Sequence, residues 1–139
     1  MKRNTLPSEY AEQKAVCDWW RLYARIKGLD ERLLFSVPNG AHLAGTSQQR
    51  AIKMKMLKAT GLRPGVPDLF LAVPKFVPGL EISPQELMFA GLFLELKRKG
   101  GRPQSNQVSY CDLLRRRAYN VVIAQGASEA IRAIKGYLG

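Results

Sequence analysis

Two short runs carry acids where apolar residues are expected. Gly65-Val66-Pro67-Asp68 ends on an acid just as a hydrophobic segment begins, and Leu92-Phe93-Leu94-Glu95-Leu96-Lys97 sets an acid and a lysine inside another. The first reads as a strand over 68–73 opened by Asp68, the second as a strand over 91–97 with Glu95 near its end. If the two pair antiparallel, start meets end and the carboxylates converge. Side chains alternate along a strand, so Lys97 shares the face of Glu95 while Leu96 turns the other way into a core. Hydrolysis of a phosphodiester with a metal needs hard oxygen ligands for Mg²⁺ or Mn²⁺, a group that organises or deprotonates water, and a cation that offsets charge developing on the phosphate. Asp68 and Glu95 supply the ligands, with the Leu96 carbonyl between Glu95 and Lys97 as a further oxygen, and Lys97 supplies either of the other two. Taken singly, Glu95 and Lys97 read as a solvated ion pair on an edge strand and Asp68 as a turn residue after proline. Their joint placement in a basic chain is what favours catalysis.

The rest of the chain has to position these groups. Helical periodicity runs from Ser8 to about Lys27, with Glu12, Val16, Trp19 or Trp20, Tyr23 and Ile26 on one stripe. Glu9 competes with Glu12 as the acid of this helix, and the stripe favours Glu12. Residues 33–37 form a short strand before the Pro38-Asn39-Gly40 turn, and a Gly-rich loop holding His42 follows. Gln48 to Thr60 reads as a helix with Ile52, Met56 and Leu57 inward. Between the two acid-bearing strands, 74–90 reads as a long hairpin connection, with a helical turn after Pro84 as an option. A helix from Gln104 to Ala118 turns Gln107, Tyr110 or Cys111, and Leu114 inward. Val121 to Ala124 is a strand of the buried kind, and Ala127 to Leu138 a closing amphipathic helix. The expected architecture is α/β: a small mixed sheet with helices on both faces.

At 139 residues, 46% of them apolar, the chain is expected to form one domain, 1–139, with a real core. No run approaches a membrane span or the apolar centre of a signal peptide, so a soluble, intracellular protein is expected. Cys17 and Cys111 lack a Cys-x-x-Cys partner and there is a single histidine, which argues against zinc and for buried reduced thiols. Twenty-two basic residues against eleven acidic ones leave a net charge of +11, spread along the chain. That favours a polyanion such as nucleic acid, although other basic proteins share the signature. Arg50, Lys53, Arg63, Lys99 and Arg102 lie near the acid-bearing blocks and are the best candidates for phosphate contacts.

Gly65-Val66-Pro67-Asp68, Phe93-Leu94-Glu95-Leu96-Lys97 and Gln107 together resemble the PD-(D/E)xK nuclease superfamily. More narrowly, Glu12-Gln13, Pro38-Asn39-Gly40, the stretch from Gly61 to Leu69, Glu95-Leu96-Lys97 with Gly100-Gly101-Arg102, Gln107 and Val121-Val122 resemble the virus-type replication-repair nuclease domain, VRR-NUC. The resemblance implies a restriction-endonuclease-like core and a DNA endonuclease dependent on Mg²⁺ or Mn²⁺, acting as a homodimer on four-way junctions. It implies that Asp68, Glu95 and the Leu96 carbonyl hold metal, that Lys97 is catalytic, and that Glu12 and Gln107 face the site from flanking helices. One departure is visible: the helix of Gln107 has Gln104 where the pattern places a cap serine, with Ser105 one step on. Dimer candidates are the outward member of Trp19 and Trp20, and Phe76, Val77 and Leu80. A nicking, restriction-type or flap nuclease of the same superfamily, and a non-catalytic nucleic-acid-binding domain, remain as rival readings.

Overall fold

A computed structural model describes residues 5–39, 43–78 and 86–139; Gly40, His42, Leu80 and the turn expected at Pro84 lie outside them. Ser8 caps the first helix by accepting the Ala11 N–H, and α1 runs Glu9–Ile26. β1 (Leu34–Ser36) follows, then α2 (Ser47–Ala59), capped reciprocally by Thr46 and Gln49. β2 (Leu69–Leu71) leads to a hairpin of β3 (Lys75–Phe76) and β4 (Leu87–Phe89), then β5 (Gly91–Lys97). α3 (Ser105–Arg115), β6 (Tyr119–Gln125) and α4 (Ala127–Leu138) complete the chain.

The main sheet has the order β1-β2-β5-β6, antiparallel except for the parallel pair β5 and β6, while β3 and β4 form a separate ribbon. Alternation divides the sheet into two faces. Leu34, Leu69, Leu71, Leu92, Leu94, Leu96 and Ala124 point to the face where Val16, Trp20 and Ala24 of α1 and Ala130, Ile134 and Tyr137 of α4 close the core. The buried line on α1 therefore steps by four from Val16 to Trp20 to Ala24. Trp20 is the inward tryptophan, its indole N–H donating to the Glu31 carbonyl at 2.8 Å, and Ile26 is exposed, contrary to the expected stripe. Trp19 stacks on Tyr23 with Lys135 above both rings. α3 takes the opposite face, over β6, with Cys111 buried.

The second helix departs most from expectation. Ile52 and Met56 are 61% and 64% exposed, Leu57 is exposed as well, and no residue of α2 is buried. The apolar residues are real but the fold gives them no sheet to cover, because α1 and α4 already close one face and α3 occupies part of the other. β2 is shorter than expected: Asp68 stands just ahead of it, and pairing stops at Leu71. β5 and α4 have the bounds their sequence pattern implied. No helix among the described residues is long and apolar enough to cross a membrane.

These placements separate two substitutions that a hydrophobicity scale would treat alike. Leu94→Ala empties a site with no solvent exposure at the sheet centre and should cost about 2–5 kcal/mol of unfolding free energy. Ile52→Ala on the uncovered helix should change it by less than about 0.5 kcal/mol. Denaturant melts of the two variants distinguish this fold from one in which α2 is packed inward.

Candidate metal and phosphodiester site

Leu69 pairs with Leu94, so the next residue outward on β2's side, Asp68, stands opposite Glu95. Both point away from the leucine core. Asp68 is drawn further in by a hydrogen bond that its Oδ2 accepts from the Leu96 N–H at 2.8 Å. In an extended strand a residue's N–H and C=O point to the same side. The Leu96 carbonyl thus opens toward the end of β2, beside Asp68, where no further ladder partner follows.

Glu95 is 2% exposed and Lys97 9%. The lysine Nζ lies 3.2 Å from Glu95 Oε1, and Gln107 Nε2 donates to the same oxygen at 2.7 Å. Gln107 also accepts the Gln104 N–H through Oε1 at 2.8 Å, so one side chain both closes the N-terminus of α3 and holds Glu95. Gln104 occupies the cap position and Ser105 is the first helical residue, which settles the register left open by the departure from the family pattern. The approach of α3 depends on Gly65: its φ is +90°, and a Cβ there would stand 2.6 Å from the Asn106 carbonyl oxygen. The turn before Asp68 can therefore lie directly on the start of α3.

Burial pushes the Glu95 carboxyl up to about 7, and the charge of Asp68 adds to the rise against the opposing bond from Lys97. Burial likewise raises Asp68, offset by the Leu96 N–H and further raised by the charge of Glu9. One lysine does not balance a buried acid and a half-buried one beside it, and a divalent cation would. Among the described residues no three acidic, histidine or cysteine groups gather around one point. What converges is a pair of carboxylates and a strand carbonyl, a donor set that fits a hard ion keeping several waters, as Mg²⁺ does.

The two acids of α1 separate. Glu12 follows the buried stripe, as expected, but that stripe packs on α4: its carboxylate accepts the Ala127 N–H and caps a helix whose own cap residue is glycine. The adjacent Gly126 N–H donates to the Lys97 carbonyl at 3.0 Å, so Glu12 braces the end of β5 from behind. Glu9, in the first turn, lines an open cleft of about 510 Å³ together with Gln13, Val37, Pro38 and Asp68. The signal for Glu9 was its place directly after the Ser8 cap, at the helix end rather than along its stripe. Of the basic candidates, Arg63 holds the end of α2 by donating to the Lys58 and Leu62 carbonyls, Lys53 donates to the Ala44 carbonyl, and Arg50 to the Ser47 hydroxyl. Lys99 and Arg102 are exposed on the turn after β5.

The raised carboxyl fixes the sign of a pH effect. A folded value of about 7 against an ordinary 4.5 means that Glu95 favours folding below pH 4.5 and progressively loses that contribution as the pH rises through 7. Without divalent ions, the melting temperature of the natural protein should therefore fall relative to Glu95→Gln between pH 4.5 and 7. Thermal melts across that window check the sign. Glu12→Ala should cost about 1–2 kcal/mol through the lost helix cap, read from denaturant midpoints.

Comparison with known proteins bears on family and fold. The family model described as the VRR-NUC domain matches residues 4–128. A solved structure titled "VRR_NUC domain protein" superposes with a TM-score of 0.72 over 96% of this chain and 90% of that one, at 19% identity, a likeness of fold. No curated protein matches the sequence. With most of its length matched by the family model, the chain belongs to the VRR-NUC domain family, and is by that membership a PD-(D/E)xK-type nuclease domain with DNA as its implied substrate.

Proposed function

We propose that this protein is a Mg²⁺- or Mn²⁺-dependent endonuclease that cuts DNA at four-way junctions as a two-fold dimer. The observation that carries the reading is the convergence of half-buried Asp68 with the buried pair Glu95 and Lys97 at the open end of two strands, in a chain of net charge +11. Asp68, Glu95 and the Leu96 carbonyl would hold the ion. When bound, it supplies a Lewis acid for the phosphate and lowers the pKa of an attacking water.

The protein's own groups do the rest. Gln107 fixes the rotamer of Glu95 from α3, and the Leu96 N–H fixes that of Asp68, so the acids are oriented before substrate arrives. Lys97 is released from Glu95 when that charge is met elsewhere, and can then face a phosphate oxygen or the attacking water. Glu9 and Gln13 form the opposite wall of the cleft. Arg50, Lys53, Lys99 and Arg102 are exposed and suit the phosphate backbone, whereas Arg63 acts first on α2. A basic surface without a base-reading motif favours recognition by shape, which a branched duplex offers. Paired cuts across a symmetric junction need two sites related by a two-fold axis. Exposed Phe76 and Leu87, paired on one face of the β3-β4 ribbon, supply an apolar patch for such an interface, and Trp19, engaged with Tyr23, does not.

Asp68→Ala and Glu95→Ala should abolish cleavage and leave DNA affinity nearly unchanged, because the acids hold the ion and the basic surface holds phosphate. Lys97→Ala should lower the single-turnover rate by about 10²- to 10³-fold with little change in affinity, and Lys97→Arg should not restore it, its fork being too broad for the space beside Glu95. Rates on linear, flap and four-way substrates test the rest. Preferred cutting of the four-way substrate supports the proposal; preferred cutting of flap or linear duplex replaces it with the corresponding nuclease. Sedimentation of a monomer that still makes paired cuts would end the dimer mechanism.

A further inference from the structure

The face of the sheet that carries the acids also carries four aromatic rings, one from each strand. Phe35 on β1 lies 5.5 Å from Phe70 on β2, Phe70 lies 4.3 Å from Phe93 on β5, and Tyr119 on β6 closes the row at 5.3 Å from Phe93. α3 covers the β6 end. The other end is open: Phe35 is 47% exposed, and Phe35, Phe70 and Phe93 line a cleft of about 460 Å³ with Arg63 and Tyr110. Gly91 allows the row to form, since a Cβ there would stand 2.6 Å from the Phe70 ring.

Phe70 is two residues after Asp68 and Phe93 two before Glu95, on the same face. At the rise of a strand the rings therefore sit about 7 Å from the acids, roughly the span of one nucleotide. The aromatic cleft and the acid-lined cleft share Val37 and Pro38 as a common wall. Aromatic side chains lining an open cleft offer a platform on which a nucleobase can stack. Among the described residues none lining this cleft is acidic, and Arg63 stands at it, which suits the approach of a polyanion to a chain of net charge +11. A base within a duplex is stacked and paired and cannot enter. A base at a branch point, where the stack is interrupted, is cheaper to unpair and turn out.

We propose that the Phe35–Phe70–Phe93 cleft is a base-binding subsite, taking one unpaired nucleobase from the strand whose neighbouring phosphate lies at Asp68 and Glu95. The proposal rests on the nuclease reading above and deepens it: selectivity for branched DNA would come from the cost of supplying a free base as well as from backbone shape.

The test uses the full-length protein and duplexes carrying 2-aminopurine either in an unpaired bulge or fully paired, in EDTA and again in Ca²⁺, with gels confirming that the DNA stays intact. Fluorescence of the unpaired probe should fall on binding as the base stacks, and that of the paired probe should not. Phe35→Ala, at a half-exposed position, should remove the quenching and weaken affinity for bulged DNA about tenfold or more, leaving affinity for paired duplex within about twofold. Phe35→Trp should retain both the quenching and the preference. Unchanged fluorescence in a complex that forms would overturn the subsite while leaving the nuclease reading intact, as would equal loss of affinity for both duplexes. A Phe35→Ala protein with an altered sedimentation coefficient would instead make the cleft a subunit contact. Loss of all DNA binding together with absent cleavage would remove both readings.

Discussion

The antiparallel register between β2 and β5 sets two carboxyls side by side, one buried and one half-buried at the edge of a cleft, and much of the surrounding structure answers that constraint. Like charges at close range raise each other's pKa, and burial raises both, so the pair is unfavourable unless partners are supplied. Three are built in: the Leu96 N–H on Asp68, and Lys97 and Gln107 on Glu95. Each comes from a different piece of the fold, namely a strand backbone, a strand side chain and a helix. The glycine at 65 is needed because the helix must come so close. What the partners leave over is a site with more negative charge than the protein balances, which is the condition for attracting a divalent ion.

The same alternation that exposes the acids on one face gives the opposite face to leucine. β5 shows this most fully: Leu92, Leu94 and Leu96 are buried in the core, while Phe93, Glu95 and Lys97 point the other way and are held by α3, β2 and one another. The candidate site and the core thus share one strand, residue by residue. Because Gly126 bonds to the Lys97 carbonyl and Glu12 caps the helix that begins there, the end of this strand is braced from the core side as well.

Strand β5, helix α4 and the convergence of Asp68 with Glu95 were legible in the sequence because each depends on local alternation or periodicity, and start-to-end pairing follows from antiparallel geometry alone. α2 was misjudged for a physical reason: Ile52, Met56 and Leu57 show helical spacing, but periodicity does not reveal whether a sheet face is left to receive them. The stripe that favoured Glu12 leads to α4, where its carboxylate caps the helix, while Glu9 lies with Gln13 on the cleft beside Asp68. The aromatic row was present as Leu34-Phe35-Ser36, Leu69-Phe70-Leu71 and Leu92-Phe93-Leu94, each with its ring on the face opposite leucine, but spread over strands far apart in the chain it becomes visible only once their order is known.

Direct binding of a divalent ion tests the central claim most closely. Calorimetric titration of Mn²⁺ into the protein near pH 7, repeated in buffers of different ionisation enthalpy, measures both the site and the protons it displaces. The account predicts saturable binding accompanied by proton release, as the Glu95 carboxyl, raised to about 7, loses its proton to the buffer when the ion binds. It also predicts that Asp68→Asn and Glu95→Gln each abolish the binding. Binding that survives both substitutions, or that proceeds in the natural protein without proton release, would place the ion elsewhere and contradict the account.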